Sequence, residues 1–198
     1  MLPALETLIL HEPAAGPDGV QRLAEKLGAG ALPAVTSLNL YSTPVRDAGA
    51  SALAAALGRG ALPRLKDLCL NNTGIGDAGL VALAPALRRR PALEDLVLQN
   101  NPLGDEGLAA LVAPPPPAGA PPPPTGGLKK LNILDLRDTQ IADAGCATLI
   151  AALDSGALPA LRDLLLMGVP ASAAAKADLV AGCSRAGLVN WRPRESEG

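Results

Sequence analysis

Four aspartates, Asp47, Asp77, Asp105 and Asp143, each stand two residues before a glycine, Gly49, Gly79, Gly107 and Gly145. A row of carboxylates could hold a divalent cation or move protons, because both chemistries need acidic oxygens gathered at one point. Each Asp, however, opens an apolar stretch of helical period. A carboxylate there accepts hydrogen bonds from the orphan backbone N–H groups of a first turn and meets the positive end of the helix dipole. Capping accounts for the whole row, and the pattern predicts that each Asp caps the helix it opens while the glycines let helix starts pack closely. The remaining reactive side chains are sparse. Cys69, Cys146 and Cys183 lie far apart with no CxxC pair, and His11 is the only histidine. Neither a disulfide framework nor a zinc site is indicated. His11 has no identifiable Ser or Cys nucleophile beside it, and Cys69 has no evident base. The expectation is a non-enzymatic chain with no catalytic residue, cofactor or metal.

The elements that would place these side chains repeat along the chain. The stretch from Leu65 to Leu87, LKDLCLNNTGIGDAGLVALAPAL, reads as a strand followed by a helix. In a strand alternate residues share a face, so Leu68 and Leu70 share one face while Cys69 and Asn71 point the other way, which leaves Asp67, Cys69, Asn71 and Asn72 to choose a partner. In the helical half Leu80, Leu83 and Leu87 recur at spacings of three and four and form one apolar stripe. One such unit cannot bury its own apolar face, but stacked units can. Leu5/Leu8/Leu10, Val35/Leu38/Leu40, Leu65/Leu68/Leu70, Leu93/Leu96/Leu98, Leu131/Leu134/Leu136 and Leu161/Leu164/Leu166 mark six copies, spaced by 30, 30, 28, 38 and 30 residues. GALP segments at 30–33, 60–63 and 156–159 end the helices, with Gly stopping each one and Pro preventing its continuation.

The pattern LxxLxLxx(N/T)x(I/L/V)xDxGxxxLxxxL resembles the long leucine-rich repeat of the ribonuclease-inhibitor-like family over nearly the whole chain. That resemblance implies an α/β solenoid or horseshoe, with a parallel sheet on the concave face and helices on the convex face, as one domain over residues 1–198. It also implies that Thr43, Thr73, Asn101 and Thr139 form a polar ladder bonding turn backbone between neighbouring units. For function it implies a module that binds another protein through the concave face. A sensor fragment of a larger receptor, a ubiquitin-ligase adaptor and a free-standing inhibitor all remain open, as does a GTPase-activating protein of the Ran activator type. Members of that last family carry a long acidic tail after the repeats, whereas this chain ends in RPRESEG.

Composition narrows the partner. Hydrophobic residues make up 48% of the 198, enough for a continuous core, while aromatic residues make up 1% and Phe is absent. Stacking on single-stranded nucleic acid needs aromatic side chains, and phosphate binding needs excess positive charge. With 17 basic against 19 acidic residues, a nucleic-acid partner is not expected. No apolar run approaches membrane-spanning length and no basic leader opens the chain, so a cytoplasmic protein with no membrane partner is expected.

Between the fourth and fifth units, residues 114–127 contain two tetraproline runs around Ala-Gly-Ala. Such a segment favours extended polyproline arms, and a proline-recognising domain bound at Pro114 to Pro124 is one reading beside that of an inert insertion. It cuts short the fourth helix, placing Pro115 where Leu57, Leu87 and Leu153 stand elsewhere. The chain starts inside a repeat, which suggests a cut N-terminal end, and Trp191 reads as a cap on the last unit or as part of a truncated seventh strand. Ser172 is placed to cap the sixth helix.

If the strands line the inner face, its side chains follow from the register. Ile9, Asn39, Cys69, Val97, Asp135 and Leu165 lie between the last two leucines of each unit. Next come His11, Tyr41, Asn71, Gln99, Arg137 and Met167, and after them Glu12, Ser42, Asn72, Asn100, Asp138 and Gly168. Partner binding is assigned to Tyr41, Asn71, Gln99, Arg137, Asn39, Asp135 and His11. Tyr41 and Arg137 are the sharpest choices, because binding hot spots are enriched in those types.

Overall fold

In a computed structural model, which describes residues 5–12, 14, 16–112 and 127–188, the six units stack in order. The strands β1 (Thr7–Ile9), β2 (Ser37–Asn39), β3 (Asp67–Cys69), β4 (Asp95–Val97), β5 (Ile133–Asp135) and β6 (Asp163–Leu165) form one parallel sheet in sequence order. The middle leucines pair across every junction, Leu8 with Leu38, then Leu68, Leu96, Leu134 and Leu164. The helices α1 (Gly16–Gly28), α2 (Arg46–Gly58), α3 (Asp77–Arg88), α4 (Asp105–Val112), α5 (Asp143–Asp154) and α6 (Ala173–Arg185) form the outer layer. Parallel strands sit about 4.8 Å apart, whereas packed helices need about 8–10 Å. That mismatch puts the sheet on the inside of the bend. The core is the leucine set read from the sequence: Leu38, Leu40, Leu68, Leu70, Leu96 and Leu98 are at most 2% exposed, and so are the helix residues Leu80, Leu83 and Leu87.

The helix starts correct the reading of the aspartates. The N-cap positions of α2, α3 and α5 are Val45, Gly76 and Ala142, none with a side-chain cap bond. Instead each Asp reaches forward to the following unit. Asp47 Oδ1 accepts from the backbone N–H of Gly76 (2.8 Å) and Gly79 (3.0 Å). Asp77 Oδ1 accepts from Gly104 (2.7 Å) and Gly107 (2.9 Å). Asp105 Oδ1 takes the N–H of Ala142 at 2.8 Å, and Asp143 Oδ1 that of Ser172 at 2.6 Å. Each Asp lies in the first turn of its own helix, and the next helix start lies alongside it. Hydrogen bonds from Ser172 hold the Asp143 carboxyl below its ordinary range. Ser172 caps α6 as expected, accepting from Ala175 N–H at 3.2 Å.

The glycines complete the lock. A Cβ on Gly79 would lie 2.6 Å from Asp47 Oδ1 and 2.9 Å from Ile75 Cγ2, and one on Gly107 would lie 2.8 Å from Asp77 Oδ1. Asp and Gly of successive units are therefore one interaction. Asp47→Ala should cost about 1 kcal/mol or more through the lost cap. Gly79→Ala should cost about 1–3 kcal/mol through overpacking, despite alanine's better helix propensity. Urea unfolding of both singles and the double should show a double mutant cheaper than the sum, by about 1 kcal/mol, because deleting the carboxylate makes room for the new methyl. Additive costs would show that the two positions act independently.

The opposite helix ends are served in the reverse direction. The Arg90 guanidinium donates back to the carbonyls of Leu57, at the end of α2, and Leu62, the latter at 3.3 Å. Helix α4 is described over Asp105–Val112, up to the edge of the described residues. Pro114 to Pro124, Pro115 and Trp191 lie outside the described residues.

Candidate functional site on the concave sheet face

Alternation along three-residue strands leaves two side chains per unit on the open face, one on each side of the buried central leucine. The second of these rows is the one expected from sequence: Ile9, Asn39, Cys69, Val97, Asp135 and Leu165, in register. The first row, Thr7, Ser37, Asp67, Asp95, Ile133 and Asp163, was expected only at Asp67. The same alternation predicts all of it once the strand is centred on the middle leucine. Asp67 and Asp95 are register partners on neighbouring strands. Partial burial raises both carboxyls above their ordinary range, and acidic neighbours add to it: Glu94 for Asp67, and Asp67, Glu94 and Asp163 for Asp95. Asp95 Oδ1 and Asp163 Oδ1 are shielded from solvent with no hydrogen-bond partner among the described residues. The centre of the sheet therefore carries concentrated negative charge.

Of the residues assigned to binding, Arg137 and Asp135 form one device. Arg137 Nε donates to Asp135 Oδ1 (2.9 Å) and Nη2 to Asp135 Oδ2 (2.6 Å), while Nη2 also reaches Gln99 Oε1 (3.1 Å). Asp135 is 3% exposed, so it meets a partner only through the guanidinium it holds. That ion pair raises the Arg137 pKa further. Gln99 is fixed from both ends, since its Nε2 donates to Asp138 Oδ2 at 3.2 Å. At the N-terminal end of the sheet Tyr41, 43% exposed, stacks on His11 with ring centroids 4.8 Å apart and planes 17° from parallel. Ile9 beside them is 63% exposed. The structure thus brings His11, Tyr41 and Ile9 together at one end and Gln99, Asp135 and Arg137 together nearer the other.

Several residues on this face serve the backbone. Asn39 Oδ1 accepts from Tyr41 N–H at 2.9 Å, and Asn71 Oδ1 takes the Cys69 thiol proton at 2.7 Å. Ser42, Asn72, Asn100 and Asp138 all have φ near +55°, a left-handed conformation that Asn and Asp tolerate better than most residues. Asn72 Nδ2 donates to Ser42 Oγ, and Asn100 Nδ2 to Asn72 Oδ1, both at 2.9 Å. Turn geometry therefore selects the residue types of this outer row. Beneath it the expected Thr/Asn ladder is buried: Thr73 and Thr139 each donate to the carbonyl of their own unit's last leucine at 2.7 Å, and Thr43 donates across to Leu10 O at 3.1 Å.

Burial pushes the Cys183 thiol up to about 11 and raises Cys69 and Cys146 as well. Among the described residues no group of three or more His, Cys, Asp or Glu is placed to hold a metal ion, and no helix is long and apolar enough to cross a membrane.

Set beside known proteins, the chain matches the family model described as Leucine Rich repeat at residues 32–54, 63–84, 91–112 and 127–149. These four stretches coincide with the second to fifth units. No curated protein sequence matches the chain. Among solved structures, "Leiomodin-1 Actin-Binding Site 2 (ABS2)" is similar at 14% identity and a TM-score of 0.48, over 93% of this chain and 82% of that one. Internalin C2 from Listeria monocytogenes is similar at 22% identity and a TM-score of 0.43, over 88% of this chain and 76% of that one.

Proposed function

We propose, on the leucine-rich-repeat match of the second to fifth units, that this chain is a protein-interaction module whose concave sheet face receives the partner. The observation that carries the reading is the contrast between layers. Leucines, forward-reaching aspartates and the buried Thr/Asn ladder are consumed by holding the stack, whereas the sheet face presents Tyr41, Ile9 and a preorganised Arg137 with no structural duty that needs them exposed. Arg137 is aimed before any partner arrives. The entropy normally lost in ordering a long side chain at an interface is thereby reduced.

Affinity purification with wild type and with Tyr41→Ala/Arg137→Ala tests the reading. Truncating two exposed hot-spot types should each weaken a real interface by about 1–2 kcal/mol, so partners held by the wild type should be lost by the double variant. Retention of every partner by a double variant of unchanged thermal stability would remove the concave face from the account.

A further inference from the structure

Balanced net charge conceals a segregation that the topology creates. Strands run parallel and helices run back against them, so helix ends and strand starts share one rim of the stack, and strand ends and helix starts share the other. The helix-start rim carries Asp47, Asp77, Asp105 and Asp143, whose carboxylates are occupied by backbone N–H groups of the following unit. The helix-end rim gathers positive charge. Arg59 and Arg89 follow α2 and α3, Arg64 precedes β3, Lys129 and Lys130 precede β5, and Arg162 precedes β6; all six are exposed. Among the described residues the ion pairs are Lys66 with Glu94, Arg137 with Asp135 and Arg185 with Asp154, and none of the six takes part. Complementing a helix dipole does not explain the whole set, because Arg64, Lys129, Lys130 and Arg162 lie in the connectors beyond the last turns.

We propose that this basic rim is a second interaction surface, distinct from the concave face, and that it takes an acidic segment of another polypeptide. Guanidinium groups bind carboxylates as two-pronged donors, and cations spread over successive units suit an extended chain whose Asp and Glu side chains come at intervals. Two features favour a polypeptide over a nucleic acid. Among the described residues the rim offers no aromatic side chain on which a base could stack. Its inner border is the acidic patch of Asp67, Glu94 and Asp95, which repels a continuous phosphate backbone but leaves room for carboxylates placed to avoid it.

The test is fluorescence anisotropy, with the full chain, of a labelled peptide in which glutamates are spaced by Gly and Ser. Wild type binds at low ionic strength and loses affinity as salt rises, because exposed ion pairs are screened. Arg64→Glu/Arg89→Glu/Lys130→Glu weakens binding by about tenfold or more, taking each reversal as worth roughly the upper range of a surface ion pair. A charge-matched control away from the rim, Arg22→Glu/Arg46→Glu/Lys176→Glu, and the concave variant Tyr41→Ala/Arg137→Ala leave binding within about twofold, on the same scale for unengaged surface charges. If the triple reversal fails to fold, Arg89→Gln/Lys130→Gln asks the same question with a smaller expected loss. Absence of salt-dependent binding, equal binding by wild type and rim variant, or tighter binding of an oligothymidylate or of phosphatidylserine vesicles than of the peptide would each overturn the proposal.

Discussion

Replacing Asn101 by leucine, which has the same number and branching of side-chain heavy atoms, should destabilise the protein by about 3 kcal/mol or more, since each buried polar group left unpaired costs about 1–3 kcal/mol. Asn101 is 2% exposed and joins two units. Its Oδ1 accepts from the N–H of Thr73 (3.2 Å) and of Ile75 (3.0 Å). Its Nδ2 donates to Leu70 O at 2.7 Å and to Leu98 O at 2.9 Å. Leucine would take these partners from the buried N–H groups of Thr73 and Ile75 and from the Leu98 carbonyl. Threonine, the residue in this slot at 43, 73 and 139, should restore part of the loss, because at 73 and 139 its hydroxyl satisfies the carbonyl of the leucine three residues before it. Urea unfolding of Asn101→Leu and Asn101→Thr measures both. An Asn101→Leu cost no larger than that of an exposed substitution would mean that the ladder does not couple the units.

The second large effect is expected at Leu70, which is fully buried. Leu70→Ala should cost about 2–5 kcal/mol through lost transfer energy and the cavity left behind. Asn71→Ala, one residue along and half-buried on the concave side, should stay within about 0.5 kcal/mol. A domain of this size holds about 5–15 kcal/mol in all, so the first variant should be visibly less stable and the second should not. Equal costs would mean that the strand faces are assigned the wrong way round.

The leucine register was readable because burial constrains side-chain type at every copy, and a one-residue slip would have put Leu68 and Leu96 in water. Helix ends were readable for the same kind of reason: Gly30, Gly60 and Gly156 all have φ between +69° and +95°, a conformation glycine adopts without strain. The forward reach of Asp47 and Asp77 was not readable. A capping signature in sequence is local, whereas their acceptors meet donors 27 to 32 residues away, brought alongside only by stacking. Nor could sequence separate the left-handed turn positions Ser42, Asn72, Asn100 and Asp138 from binding residues, since the residue types that tolerate that conformation are also polar surface types. The row of Asp67, Asp95 and Asp163 lay within reach of simple alternation. Its position is left unspecified by the leucine motif, however, and Thr7, Ser37 and Ile133 in the other copies break the acidic pattern. Charge segregation between the rims is invisible in a net charge of −2, since it depends on which rim each connector occupies.

The concave face is the centre of the functional account, and its most direct measurement is site-specific photocross-linking in the full chain. A benzoyl-phenylalanine placed at Val97, on the sheet face, is compared with one at Val81, 39% exposed on the helix layer. Covalent capture of the same protein partner from position 97 and not from 81, abolished by Tyr41→Ala/Arg137→Ala, is the predicted result. Capture from position 81 with none from 97 would contradict it.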